Sequence, residues 1–187
     1  MARPSGPAGP PPGRRKKVTG EPADHALGRS RGGFGTKIHL VTDGNGLPLA
    51  AEVTAGQRHE SKEAERVLDA VRIPQRRGRP RCRPVKLAGD KGYSYPRIRR
   101  WLRRHGVKAV IPRRKDQRPG DGRVRFDRDT SKRRAVVEQC VGWLKECRAV
   151  ATRFDKLAVN YLATVKLAMI QRYLRLLAPV DDSSDRA

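Results

Sequence analysis

The strongest local constraint on folding is the segment 43–46, which reads Asp-Gly-Asn-Gly and separates two apolar runs. The runs cover residues 38–41 and 47–53. Asp-Gly and Asn-Gly pairs favour the backbone conformations of tight turns between antiparallel strands. We therefore expect a β-hairpin here, with both strands in one sheet.

A helix is expected directly after the hairpin. Ser61 is its expected N-cap, and its apolar residues recur at the spacing of one helix face: Ala64, Val67, Leu68 and Val71. A basic linker rich in Pro and Gly then leads to a third expected strand, 85–88, which ends just before Gly89 and Asp90.

The second half of the chain alternates further helices with one strand. We expect a helix over 95–105, a strand in the run "VKAVIP", a loop over 113–130 and helices over 131–148 and 159–177. Short strands mixed with helices in one domain indicate an α/β or α+β architecture. The length of 187 residues suits one folded domain, expected over 21–178, between a disordered basic Pro/Gly-rich arm, 1–20, and an acidic tail, 179–187.

The charge balance points to a polyanionic partner. Lys and Arg number 43 against 19 Asp and Glu, which gives a formal charge of +24 and a pI near 11.3. Nucleic acid is the first candidate. No run of 18 apolar residues occurs, so no membrane partner is expected. Three cysteines, an odd number without a CxxC pair, favour a reduced cytoplasmic protein over a disulfide scaffold or a zinc site.

Two acids stand out against this basic background. Asp90 follows an expected strand, and Glu138 shares a helix face with Arg134 and Lys145, within about 40° at 100° per residue. Each has an ordinary structural interpretation: Asp90 could cap a backbone N–H, and Glu138 could form a solvent-exposed ion pair with Arg134. In a protein that binds a polyanion, however, such carboxylates can hold Mg²⁺ for phosphodiester chemistry.

Four stretches of the chain carry a family resemblance: "DHALGRSRGGFGTKIHLVTDGNGLPLA", "AGDKGYS", "VKAVIPRR" and "RRAVVEQCVGWLKECRAVATRFDKLAVNYLATVKLAMIQRYLRLL". They resemble DDE-type transposases of bacterial insertion sequences, in the insertion sequence four/five grouping. The resemblance implies an RNase H-like α/β fold, a mixed sheet with flanking helices. It also implies cleavage and strand transfer of double-stranded DNA, at the ends of the element and at its target, with Mg²⁺ as the cofactor and Mn²⁺ as a substitute. A cytoplasmic location on the bacterial nucleoid is implied as well.

The same resemblance implies roles for individual residues. Asp90 matches the second Asp of the family's acidic triad and Glu138 its Glu, so both are expected to be catalytic metal ligands. Arg134 and Lys145 match the basic positions of the family's Tyr-x2-Arg-x3-Glu-x6-Lys signature. Ser131 stands here in place of its Tyr. Further residues are expected to neutralise DNA phosphates: Arg29, Arg31, Lys91, Arg113 and Arg114.

The first Asp of the triad has no counterpart at the matching position, because residues 1–18 contain no acid. The expected sheet therefore lacks its first, central strand, and the chain alone is expected to be marginally stable or prone to aggregation. Asp24 and Asp43 are the nearest substitutes, but Asp43 is expected to serve the hairpin turn. We expect the chain either to form a homo-oligomer or to be completed by an upstream transposase fragment.

Two other functions stay open from the sequence. The first is a catalytically inactive DNA-binding remnant or regulator, which the missing Asp favours. The second is a generic basic RNA-binding protein, which the low aromatic content of 5% disfavours because stacking surface is scarce.

Overall fold

The computed structural model describes residues 25–30, 33–115, 117 and 126–177. Within them the chain is a mixed α/β fold with two small sheets, as the sequence predicts. The strands are β1 Gly28–Ser30, β2 Gly33–Thr42, β3 Pro48–Ala55, β4 Lys86–Ala88 and β5 Lys108–Val110. The helices are α1 Glu60–Asp69, α2 Pro96–Arg104, α3 Arg128–Lys132, α4 Ala135–Glu146, α5 Arg148–Ala151 and α6 Ala158–Leu177. The expected arm, 1–20, and tail, 179–187, lie outside the described residues.

The first sheet is antiparallel, with strand order β1-β2-β3. Its main pair is the predicted hairpin, in which Thr36 faces Ala55 and Val41 faces Ala50. Asp43 closes the turn, since its Oδ1 accepts hydrogen bonds from the backbone N–H groups of Asn45 at 2.9 Å and Leu47 at 2.8 Å. The carboxylate of Asp43 therefore has the structural role expected of it.

The second sheet is a parallel pair, β4 and β5. A short 3₁₀ turn, Lys91–Tyr93, and α2 make the crossover that joins them. Pro96 stands at the start of α2, where a backbone N–H would have no partner within the helix, so proline costs no hydrogen bond there. Ile98 and Leu102 are buried beneath the helix. The predicted strand and helix on either side of Asp90 are both confirmed.

The two largest of three apolar clusters hold these elements together. One packs α4 and α6 against the hairpin, through residues that include Leu144, Tyr161 and Val165. The other joins α1, α2 and the second sheet, and both Val41 of β2 and Leu87 of β4 pack against it. The hairpin and the parallel pair are thus brought together by side chains and not by backbone pairing.

Two sequence predictions about helices are wrong. The N-cap of α1 is His59 and not Ser61, because the His59 ring accepts from the Ser61 backbone N–H. The expected helix over 131–148 is instead three short helices, α3, α4 and α5. The chain tightens between α3 and α4, where the N–H groups of Arg134, Val136 and Val137 donate i→i−3 hydrogen bonds. Cys147, between α4 and α5, is extended. Half of the expected loop 113–130, residues 116 and 118–125, lies outside the described residues, and its last three residues, 128–130, belong to helix α3, so the loop is shorter than expected.

Two further observations concern the cysteines and the helices. Cys82, Cys140 and Cys147 are all free thiols. Among the helices of the described residues, none is both long enough and apolar enough to cross a membrane.

A buried histidine makes the stability of the hairpin depend on pH. His39 of β2 is 3% exposed, and its Nε2 lies 2.8 Å from the Thr54 hydroxyl of β3. Burial lowers the pKa of His39; the negative charge of Glu63 opposes this shift, and Lys37 adds to it. The folded state therefore favours the neutral imidazole.

We expect the free energy of unfolding to fall as the pH drops below about 6.5, the pKa of an unfolded histidine. The contribution of neutral His39 to the free energy of unfolding is fully present above that pH. It is lost as the pH falls through the lower pKa of His39 in the folded state. Urea unfolding at a series of pH values measures this, and His39→Gln should flatten the dependence between about pH 7 and 5. His105→Gln, at an exposed site, is the matched control; equal slopes in the wild type and His39→Gln would contradict the assignment.

Candidate active site

A cavity of about 240 Å³ lies where β2, β4 and helices α1, α2 and α4 meet. Its polar lining includes Asp90, Arg134 and Glu138. Most of its remaining wall is apolar: Leu40, Val41, Ala64, Val67, Leu68, Leu87, Ala88, Ile98, Ile111 and Val137. The two acids selected from the sequence, with 47 residues between them (138 − 90 − 1), therefore line the same cavity.

The turn after β4 fixes the orientation of Asp90. Its Oδ1 accepts a hydrogen bond from the backbone N–H of Gly92 at 2.7 Å and caps the 3₁₀ turn. A side chain at position 92 would bring a Cβ to 2.8 Å from that oxygen and would displace the Asp90 carboxylate, so glycine suits this close approach. Within the described residues Oδ2 makes no hydrogen bond, which leaves it available to a ligand. The capping role and a ligand role for Asp90 are therefore compatible.

Glu138 enters the cavity from the first turn of α4. Its side chain is exposed, and a helix N-terminus is a favourable place for a negative charge. Arg134 immediately precedes α4 and is half-buried. In the described part of the chain, no ion pair joins Arg134 to Glu138, so the simple ion-pair interpretation is not what the structure shows. Both charges face the cavity separately.

Tyr93 is a polar residue of this cavity that the sequence analysis did not single out. Burial raises the pKa of Tyr93 to about 12, and the negative charges of Glu60 and Asp90 act in the same direction. The phenol therefore stays protonated and can donate a hydrogen bond. The segment "GDKGY" could have indicated this position of Tyr93, because a residue three places after Asp90 in a tight turn returns to the same side of the chain.

Three of the expected DNA-contacting residues lie close to the Asp90 turn. Lys91 is exposed and directly follows Asp90. The Arg114 Nε donates to the Lys91 carbonyl at 3.1 Å, and its guanidinium lies 4.4 Å from the centroid of the Tyr95 ring. Arg113 is exposed beside it. The surroundings of the Asp90 turn are therefore basic.

Two more of the expected basic residues, Lys145 and Arg29, lie outside the lining of the cavity. Lys145 is exposed on α4, seven positions beyond Glu138. Arg29 is exposed on β1, which pairs with the beginning of β2, whereas the cavity lies at the end of β2. Arg31 lies outside the described residues.

A second cavity, of about 350 Å³, adjoins the first along β2 and β4 and shares Arg134 with it. Its charged lining is mostly basic: Arg81, Arg83, Lys86, Arg133 and Arg134, against Asp43. The sequence analysis treated the basic run after α1 as a linker only. Its repeated arginines were the signal that this segment contributes to a charged surface.

Asp90 and Glu138 supply the carboxylate oxygens at the first cavity. Across residues 25–177, as far as they are described, no three or more His, Cys, Asp or Glu side chains are grouped to hold a metal ion. Mg²⁺ is commonly bound through one or two carboxylates, with waters and substrate phosphates completing its octahedron. Two carboxylates beside a basic surface fit that chemistry, although they supply fewer protein ligands than a triad.

The comparison with protein families decides the relationship. The family described as "Transposase DDE domain" matches residues 12–171. The chain belongs to the DDE transposase family. It is also 36% identical, over 134 residues, to a Burkholderia cepacia protein named as the transposase for insertion sequence element IS402.

The match to this transposase covers 71% of the chain and 60% of the relative, so the chain spans less than two thirds of the relative's length. No solved structure matches the chain significantly. The family predicted from the sequence motifs is confirmed.

Proposed function

We propose that this DDE transposase chain provides two of the carboxylates that hold divalent metal ions while DNA is cut and joined at the ends of an insertion sequence. Asp90 and Glu138 are the proposed ligands. The observation that carries the proposal is that these two acids, distant in sequence, line one cavity together with Arg134.

Mg²⁺ or Mn²⁺ would bind the carboxylate oxygens of Asp90 and Glu138 and, when bound, would supply positive charge to the reacting phosphate. The chain's own residues prepare the site. Gly92 N–H holds Asp90 in one orientation, Tyr93 offers a neutral hydroxyl, and Arg134 places a positive charge beside both acids.

The reaction class is phosphodiester cleavage followed by strand transfer. In cleavage, a water oxygen bonds to phosphorus while the bond from phosphorus to the 3′-oxygen breaks, which leaves a 3′-hydroxyl and a 5′-phosphate. In strand transfer, that 3′-hydroxyl attacks a target phosphate and a target 3′-oxygen leaves. Neither step requires an oxidant or a reductant.

An RNase H-like fold over residues 21–178 is part of the same proposal. An antiparallel hairpin, a helix and then a strand ending in an acid support it, as does the parallel pair formed by β4 and β5. The DNA partner is supported by the formal charge of +24. We propose phosphate contacts for Lys91, Arg113, Arg114 and Arg134 around the cavity, and for Arg29 and Lys145 farther along the DNA.

One observation favours a second candidate, a DNA-binding transposase fragment that does not cut alone. The cavity has two carboxylates where the family's site has three, and the part of the chain that the structure describes groups no third acid with them. DNA binding without cleavage would identify this candidate.

We expect Mg²⁺- or Mn²⁺-dependent nicking of a supercoiled plasmid that carries the element ends to depend on both acids. Asp90→Asn and Glu138→Gln should each reduce the rate by at least about 100-fold, because each amide keeps the size of the side chain but loses its charge. Gel electrophoresis of the nicked product measures the rate.

Glu146→Gln and Asp129→Asn are the matched controls, since both acids are exposed on helices and neither lines the cavity. Nicking that survives in Asp90→Asn or Glu138→Gln would disprove the assignment. Absence of nicking in the wild type, with DNA binding retained, would support the non-cutting fragment.

DNA affinity should fall with salt, and removing a side chain that neutralises one phosphate should reduce the slope of log K against log salt by about 0.9. We expect Lys145→Ala to lower affinity for any duplex and to reduce the slope by about one unit. Fluorescence anisotropy at several salt concentrations measures it. Lys132→Ala, an exposed lysine on α3 to which no phosphate is assigned, should change neither value as much. An unchanged slope in Lys145→Ala would remove this residue from the interface.

A further inference from the structure

The loops that follow the two parallel strands leave the second sheet at the same edge. Ala88, the last residue of β4, is paired with Val110, the last residue of β5. The loop after β4 carries Asp90, and the loop after β5 carries Arg113 and Arg114. The carboxyl ends of parallel strands are where α/β sheets place their binding sites. Contacts that join these two loops therefore fix basic side chains relative to Asp90.

Ser94 and Gln117 join the two loops by a reciprocal pair of hydrogen bonds. The Ser94 hydroxyl donates to Gln117 Oε1 at 2.7 Å, and Gln117 Nε2 donates to the Ser94 carbonyl oxygen. Ser94 is 0% exposed, so water does not compete for its hydroxyl. A carbonyl oxygen only accepts, so the amide of Gln117 has one orientation in this pair. The pair therefore requires a side chain with both a donor and an acceptor at position 117.

Arg99 of α2 extends this network to the end of β5. Its Nη2 donates to the Ser94 hydroxyl oxygen at 2.9 Å and to the Ile111 carbonyl oxygen at 2.7 Å. The Ser94 hydroxyl thus donates one hydrogen bond and accepts another. Burial lowers the pKa of Arg99, and the positive charge of Arg113 acts in the same direction. The loop after β5 therefore adds positive charge next to a half-buried cation, and this favours an anion nearby.

Gln117 also fixes the backbone around Arg114. Its N–H donates to the Arg114 carbonyl oxygen at 3.1 Å, and its Oε1 accepts from the Arg114 N–H at 3.4 Å. The side chain of Arg114 reaches the turn after β4, where Nε donates to the Lys91 carbonyl oxygen at 3.1 Å. Within the described residues, Nη1 and Nη2 of Arg114 make no hydrogen bond. A guanidinium held through Nε has these two nitrogens available for a phosphate.

Tyr95, the ring on which the Arg114 guanidinium packs, is itself held by α1. Its hydroxyl lies 3.2 Å from Nε2 of His59, and the two rings meet edge to face with centroids 5.5 Å apart. The other nitrogen of His59, Nδ1, accepts from the Ser61 N–H. Nε2 is then the protonated nitrogen of the neutral ring, and it donates to the Tyr95 oxygen. The aromatic support of Arg114 is thus fixed from a second element.

We propose that Ser94 and Gln117 are positioning residues, which hold Arg114 beside the Asp90 turn so that its guanidinium binds a phosphate of the reacting DNA strand. Neither residue contacts the DNA. Both act by restricting the loop after β5, which lowers the entropic cost of ordering Arg114 when DNA binds. The inference rests on the proposed function and adds to it two uncharged residues that the basic composition of the chain does not indicate.

The hydrogen bonds of the pair are tested first, without DNA or metal. Gln117→Met keeps the length and neutrality of the side chain but removes its donor and its acceptor. Hydrogen exchange followed by mass spectrometry should be at least about fivefold faster over residues 91–95 and 111–117 in this variant. Ser94→Ala should have the same effect. Gln75→Met is the matched control, at an exposed glutamine that lines neither cavity, and should leave both segments unchanged. Unchanged exchange in Gln117→Met would overturn the proposal.

A double-mutant cycle then tests whether the pair acts through Arg114. Fluorescence anisotropy in the presence of EDTA measures the affinity for duplex DNA at several salt concentrations. Arg114→Ala should reduce the slope of log K against log salt by about 0.9. Gln117→Met should weaken binding by at least about threefold in the wild-type background and have no further effect in the Arg114→Ala background.

Equal losses from Gln117→Met in both backgrounds would indicate an effect that does not pass through Arg114 and would overturn the proposal. A loss of the same size in Gln75→Met would overturn it as well. DNA binding that none of these variants changes would refute this inference alone, whereas the absence of DNA binding in the wild type would also refute the proposed function.

Discussion

Packing of side chains on the two faces of the hairpin is the constraint on which the rest of the structure depends. The cluster around Leu144 holds α4 and α6 against the hairpin, and the cluster around Ile98 and Leu102 joins α1, α2 and the parallel pair to Val41 of β2. Among the described residues, no strand ladder joins the hairpin to the parallel pair, so their relative position depends on these side chains.

The positions of both candidate ligands follow from this arrangement. Asp90 stands at the end of β4 because the strand stops at a glycine and turns through Lys91–Tyr93, with its own carboxylate capping the turn. Glu138 reaches the same place from α4, which the cluster around Leu144 holds against the hairpin. The position of each acid is therefore independent of the other acid. Their meeting in one cavity reflects the packing of two separate clusters on the two faces of β2.

Local chemistry made part of this structure predictable from sequence. Asp-Gly-Asn-Gly encodes the hairpin turn within a few residues, and an apolar run followed by Gly89 and Asp90 encodes the strand end. Other features depend on contacts that sequence patterns do not contain. β1 is three residues long and has no apolar alternation, and the helix break at Arg133 involves no proline or glycine. His59 acts as N-cap only because its ring folds toward Ser61, and Tyr93 enters the site only because the turn places it there.

The most direct test of the account is to locate the metal on the protein itself. Fe²⁺ bound in place of Mg²⁺, with ascorbate and peroxide, generates radicals that cut the polypeptide next to the ion, and mass spectrometry identifies the cut positions. The account predicts cuts near both residue 90 and residue 138, and both sets should disappear together in Asp90→Asn because both acids are proposed to hold the same ion. Cuts near only one of these residues, or at sites unrelated to the cavity, would show that Asp90 and Glu138 do not share a metal site.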